Sequence, residues 1–136
     1  MGAIGSPIVV GYVDTPEGEA ALDRAIVEAK QRGARLVVIS SHRGGSSFDK
    51  ATAAEVEAAL GEVRTRLDES GVEHEVRQLV RGEDPADDLI GVAEEVDADL
   101  IVIGLRRRTP VGKLILGSNA QQVLLDASCP VLAVKA

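Results

Sequence analysis

The sequence predicts an α/β protein: a three-layer α/β/α sandwich built on a five-stranded parallel sheet, in the order β-α-β-α-β-α-β-α-β. Three observations predict it. Five short apolar runs are spread along 136 residues, and the stretches between them carry helical periodicity. Four of the runs are nearly continuous in Val, Ile and Leu, as strands buried on both faces of a sheet are. Strand and helix alternate strictly, which calls for right-handed crossovers that cover both faces of a parallel sheet. The length suits one domain, 1–136, able to bury a core of ordinary size.

Each element has its own signal. The first strand is "PIVVGYV", 7–13. Thr15 then reads as a helix N-cap, Pro16 as the first helical position and Glu17 as an acid suited to the first turn. Leu22, Ala25, Ile26 and Ala29 line one face of that helix, and Gly33 ends it. The second strand is "ARLVVISS", 34–41, and a long helix follows over 50–70. Val56, Leu60, Val63 and Leu67 give that helix its apolar stripe, with Gly71 just past its end. The third strand, "EHEVRQLV" at 73–80, alternates apolar with charged residues and suits a sheet edge. Asp84–Pro85 opens a third helix with Leu89, Ile90, Ala93 and Val96 inward. "DLIVIG" at 99–104 is the fourth strand. Ser118 is expected to cap a fourth helix with Val123 and Leu124 inward, and "PVLAVK" at 130–135 closes the sheet.

Composition narrows the function classes. Tyr12 and Phe48 are the only aromatic residues, so the core must be aliphatic. Fifteen basic residues against twenty-two acidic ones leave a net charge of −7, which disfavours nucleic acid and anionic membranes as partners. The single cysteine, Cys129, excludes an internal disulfide and a cysteine metal site, and its place before Pro130 suggests a buried, inert thiol. No run reaches the ~20 apolar residues of a membrane span, and the N-terminus lacks the pattern of a signal peptide. A cytoplasmic protein is the expectation.

In parallel sheets of this kind ligands bind beyond the carboxyl ends of the strands, where strand order reverses. That directs attention to loops 12–16, 40–48, 80–84 and 104–118. The last, "GLRRRTPVGKLILGS", joins a strand to a helix with glycine at both ends, as a phosphate-binding loop does. It is not a Walker A loop, because Gly112–Lys113 precedes Gly117–Ser118 instead of following a first glycine at the required spacing. Asp14, at the tip of the first strand, is suited to a ribose hydroxyl or an adenine amine, or else to the turn beside Thr15. It has no acidic neighbour of the kind a phosphoacceptor receiver site needs. His42 and His74 are isolated; they form no metal constellation, and His42 reads more readily as a solvated loop residue than as a ligand contact. No nucleophile, general base or redox cofactor motif is readable, so no catalytic residue is assigned.

With these residues in place, the chain resembles the universal stress protein family over essentially its whole length. "IVVGYVDTPEGEAALDRAI" is similar to the family's opening strand, aspartate and helix, and "RGEDPADDLIGVAEEVDADLIVIG" to its third helix and fourth strand. "GSNAQQVLLDASCPVLAVK" is similar to its closing helix and strand, and is the most specific stretch. The resemblance implies a Rossmann-like fold of the adenine nucleotide alpha hydrolase type. The ATP-binding branch carries Gly, two residues, Gly, nine residues, then Gly and a small hydroxyl or amide residue. Gly104 fits the first position and Gly117–Ser118 the last, while the second glycine falls on Arg107. A side chain there obstructs a close backbone approach, yet an arginine fork can itself hold phosphate in a bidentate grip.

The resemblance implies that Val13 and Asp14 meet the adenine or ribose, and that Val38 or its neighbours pack near the base. It places Gly104, Gly117, Ser118 and Asn119 at the phosphates, with Arg106 and Arg107 supplying charge. It implies a homodimer through the last strand, 131–134. The expected function is binding of ATP or a related nucleotide (AMP or ADP), with or without Mg²⁺, by a stress-response regulator that is not an enzyme. The alternative is a dimeric scaffold of the same family that binds no nucleotide. A slow ATPase is a third, less supported reading, because no general base is identifiable.

Overall fold

Side chains along the strands point alternately to the two faces of a single sheet, which divides the core into two apolar layers. The computed structural model describes residues 5–42, 48–80, 84–106 and 116–136. Among these, the strands are β1 (Gly5–Gly11), β2 (Ala34–His42), β3 (His74–Val80), β4 (Leu100–Leu105) and β5 (Val131–Lys135). The helices are α1 (Pro16–Arg32), α2 (Lys50–Ser70), α3 (Pro85–Glu95) and α4 (Ser118–Asp126). All strand pairs are parallel and the sheet order is β3-β2-β1-β4-β5, so chain direction across the sheet reverses between β1 and β4.

Ile8, Val10 and Tyr12 face one side with Leu36, Val38, Leu100 and Val102, and pack under α1 and α2. Val9, Val37, Ile39, Ile101 and Ile103 face the other side and pack under α3 and α4. The predicted α/β sandwich and five-stranded parallel sheet are therefore the observed fold. Most helix ends follow the sequence signals. Thr15 Oγ1 accepts the Gly18 N–H at 3.2 Å, and Gly33 closes α1 in the left-handed region at φ 63°. Asp49 caps α2 through the Thr52 N–H at 2.8 Å. Within α2 the fully buried residues are Leu60, Val63 and Leu67, while Val56 only borders the core.

Three expectations need correction. Ser118 is the first helical residue of α4 and Gly117 is its N-cap, without any side-chain cap bond, because glycine has no side chain to supply one. Leu124 is 40% exposed; a helix of nine residues lying on one sheet face buries only Val123. The apolar run of β5 reads as doubly buried, but β5 is the second edge strand and its residues are half-buried. The β3 edge position agrees with its alternating sequence. Among the described residues no helix is long and apolar enough to cross a membrane.

Candidate ligand site

The reversal of strand order between β1 and β4 opens a cavity of about 560 Å³ at the carboxyl end of the sheet. Its walls come from the β1–α1 turn, the ends of β2 and β4, and the first turns of α3 and α4. Two glycines set how closely these walls approach. A Cβ at Gly104 would lie 2.7 Å from the Glu17 carbonyl carbon and nearer still to its oxygen. A Cβ at Gly18 would lie 2.7 Å from the Val13 carbonyl carbon, again nearer still to the oxygen. The first turn of α1 therefore lies directly against the backbone of β4. Gly104 is required for that contact whether or not a ligand is present.

The cavity has two chemically different ends. At the β2–α3 end, Ile39, Ala86 and Leu89 give an apolar floor, and Ser41 and His42 stand at its rim. At the β4–α4 end, Gly104, Arg106, Gly117, Ser118 and Asn119 form the lining. The first α4 hydrogen bond runs from the Gln121 N–H to the Gly117 carbonyl at 3.0 Å, so the N–H groups before it have no intrahelical acceptor. Gly117 provides no side-chain cap, so among the described residues no side chain caps this helix end, whose N–H groups and positive dipole end suit an anion. At α1 the corresponding position is already taken by Thr15.

Arg106 Nε lies 3.6 Å from Glu17 Oε2, joining β4 to the first turn of α1 across the cavity mouth. The Glu17 side chain is only 14% exposed and the Arg106 side chain 58%. Burial lowers the pKa of His42 below its usual 6.5. Its Nε2 lies 2.9 Å from Ser40 Oγ, and its ring packs against Phe48 with centroids 5.0 Å apart. The Tyr12 phenol is pushed up to about 12, first by burial and then by the carboxylates of Glu19 and Asp14. Burial, with help from Asp99, also raises the Cys129 thiol, which is half-buried and not fully enclosed as its sequence context suggests. Among the described residues no group of three or more His, Cys, Asp or Glu is placed to hold a metal ion.

Of the residues singled out by sequence, Val13, Gly104, Arg106, Gly117, Ser118 and Asn119 line the cavity together. Asp14 is exposed, at the rim between the lining residues Val13 and Thr15. Val38 is fully buried on the opposite face, under α1 and α2; its neighbour Ile39 is the β2 residue that reaches the cavity. Arg107 lies outside the described residues. His42 belongs to β2 and lines the cavity instead of standing in a solvated loop. Sequence reasoning missed Glu17 and Ser41 as lining residues. Ser41 continues the Val37–Ile39 alternation onto the cavity face, and Asp88, whose carboxylate accepts from the Ser41 hydroxyl, sits on the inward stripe of α3 beside Leu89 and Val92, so both had a readable periodicity.

Comparison with known proteins agrees with this architecture. Residues 6–135 match the family described as the universal stress protein family. A universal stress protein of Mycolicibacterium smegmatis is 46% identical over 128 residues, covering 94% of this chain and 96% of its own. The structure of a universal stress protein from Archaeoglobus fulgidus superimposes with a TM-score of 0.85 at 40% identity, covering 97% of this chain and all of that one (100%). A universal stress protein from the same organism in complex with dAMP gives a TM-score of 0.80 at 35% identity, covering 97% and 99% of the two chains. Its periodicity, sheet order and cavity, taken with these matches, place the chain in the universal stress protein family.

Proposed function

We propose that this chain binds an adenine nucleotide in the cavity between β1 and β4 and acts as a stress-response regulator or sensor, not as a catalyst. ATP, ADP and AMP are the candidate ligands, with Mg²⁺ accompanying the longer phosphate chains. One observation carries the reading: an uncapped helix N-terminus stands opposite an apolar floor in one cavity at the strand-order reversal. A flat apolar base and an anionic phosphate match those two ends, and the dAMP complex of the similar Archaeoglobus protein supports the ligand class. The cavity volume lies within the usual range for small-molecule sites. The half-buried edge β5 supports a homodimer in which two copies cover that edge, and the expected compartment is the cytoplasm.

Thermal unfolding with saturating AMP, ADP or ATP, with and without Mg²⁺, tests the reading. A ligand at about 100 times its Kd stabilises by roughly 2.7 kcal/mol, so a rise of several degrees is expected. Gly117→Val, which fills the helix end, abolishes the rise. No shift with any adenine nucleotide sinks the proposal, and sedimentation of the same sample tests the dimer.

Glu17 favours a second reading. It places a carboxylate beside the phosphate end, already paired with Arg106. A dimeric scaffold of the same family that acts through protein partners would dimerise and show no response to adenine nucleotides.

A further inference from the structure

We propose that Glu17 sets the charge selectivity of the phosphate end: its carboxylate competes with the ligand for Arg106 and opposes each added phosphate, so that it limits how tightly metal-free, longer phosphate chains bind. The inference rests on the nucleotide reading above. It goes further by assigning discrimination between phosphate-chain lengths to one residue.

Among the described residues that line the cavity, Glu17 is the only carboxylate and Arg106 the only permanent cation. Arg106 Nε lies 3.6 Å from Glu17 Oε2, so the two charges form one pair. The Glu17 side chain starts directly over the strand end: a Cβ on Gly104 would lie 3.1 Å from the Glu17 Cβ. Gly104, Gly117 and Ser118 line the same end of the cavity. A carboxylate therefore stands where the geometry otherwise suits an anion, and only one guanidinium offsets it.

The two partners differ in freedom. The Arg106 side chain is 58% exposed and follows the last residue of β4, so it can turn toward a ligand anion. The Glu17 side chain is 14% exposed and belongs to the first turn of α1. Thr15 caps that turn, and the close approaches at Gly18 and Gly104 fix its backbone. A phosphate offers the guanidinium a bidentate, charge-assisted partner and draws it from the single contact with Glu17. The carboxylate then stays at the cavity wall beside the phosphate. Repulsion between the two grows with each negative charge on the ligand, and low exposure at Glu17 weakens the screening. A first-turn acid that serves only the helix dipole behaves differently, because it stabilises α1 equally whatever is bound.

The experiment titrates the full chain calorimetrically with adenosine, AMP and ADP, with divalent cations removed by a chelator. Adenosine carries no phosphate, AMP one and ADP two, on the same base and sugar. Glu17→Gln keeps the size of the side chain and removes its charge. It should leave adenosine within about 2-fold, strengthen AMP by about 5-fold and strengthen ADP by at least about 10-fold. The ratio of ADP to AMP affinity therefore rises in the variant. A purely structural role would shift all three ligands together and leave that ratio intact. An equal change for the three, no change, or weaker ADP binding in Glu17→Gln overturns the assignment while leaving nucleotide binding standing. Glu17→Ala, which removes the carboxylate with its stem, must give the same order and decides the matter where Glu17→Gln fails to fold. Binding of none of the three by wild type or variant overturns the nucleotide reading and this proposal with it.

Discussion

Gly104 and Gly117 occupy equivalent roles in a phosphate-loop pattern, yet the structure predicts opposite outcomes for the same substitution. At Gly104 a new methyl carbon would stand 2.7 Å from the Glu17 carbonyl carbon, where ordinary carbon contacts begin near 3.5 Å. Relief requires a displacement of roughly 1 Å, and both sides are backbone. On one side β4 is paired to both β1 and β5; on the other, α1 is capped by Thr15 and anchored by Ala21, Leu22 and Ala25. Neither can yield as a flexible side chain would. Overpacking of this kind costs about 1–3 kcal/mol and more where the clash is rigid, so about 3 kcal/mol is expected for Gly104→Ala.

At Gly117 nothing among the described residues lies within 4 Å of the added carbon, and φ is −66°, a value any residue adopts. Replacing a glycine N-cap with alanine costs under about 1 kcal/mol. For a chain of this length those figures correspond to a fall in Tm of roughly 10 °C for Gly104→Ala and at most about 3 °C for Gly117→Ala. Far-ultraviolet circular dichroism melts without ligand measure both. A Gly104→Ala protein melting within about 2 °C of wild type, or a Gly117→Ala protein falling as far as Gly104→Ala, would refute the packing argument.

Two further predictions concern titration. Tyr12 is the only tyrosine and tryptophan is absent, so phenolate absorbance reports that one group. It should titrate well above 10.0, toward about 12, while the protein is folded, and Glu19→Gln should bring it down by removing a nearby carboxylate. Because the folded value is raised, its stabilising contribution is complete below 10.0 and is lost as pH climbs toward 12. Titration of the folded protein near 10.0 would contradict it. His42 has the opposite linkage. Its folded pKa lies below 6.5, so the unfolded chain takes up a proton first and stability falls as pH drops through 6.5. Denaturant midpoints at about pH 7 and pH 5 should differ less in His42→Gln than in wild type, and an equal difference would exclude His42 as a source of the slope.

The fold was legible because its determinants are local and periodic. Thr15, Gly33 and Gly71 mark helix ends through backbone chemistry that any neighbouring sequence leaves intact. The alternation through Ile8, Val9 and Val10 assigns each residue to one of two layers as soon as the sheet is known to be covered on both faces. Where local reading failed, tertiary placement decided. The run Val131–Val134 is as apolar as a central strand, but only the sheet order determines that β5 has a neighbour on one side alone. Leu124 fits a helical stripe, yet one short helix on one face has room to bury only Val123.

The site was legible only in part, because its glycines carry more than one demand. The spacing of Gly104 from Gly117 suggests phosphate contact for both, whereas the structure gives Gly104 a packing duty toward Glu17 that no spacing could reveal. That same close approach brings Glu17 into the cavity wall, where it meets Arg106 at 3.6 Å. In sequence Glu17 was only a favourable acid in a first turn. Its arrival at the mouth of the site is a consequence of two glycines, Gly18 and Gly104, that let α1 lie against the backbone around it. An anion entering at the α4 N-terminus would draw Arg106 away from Glu17, because a phosphate offers the guanidinium a doubly bonded partner. If a nucleotide binds as proposed, that exchange would act on the contact between α1 and the end of β4, because Glu17 belongs to the first turn of α1.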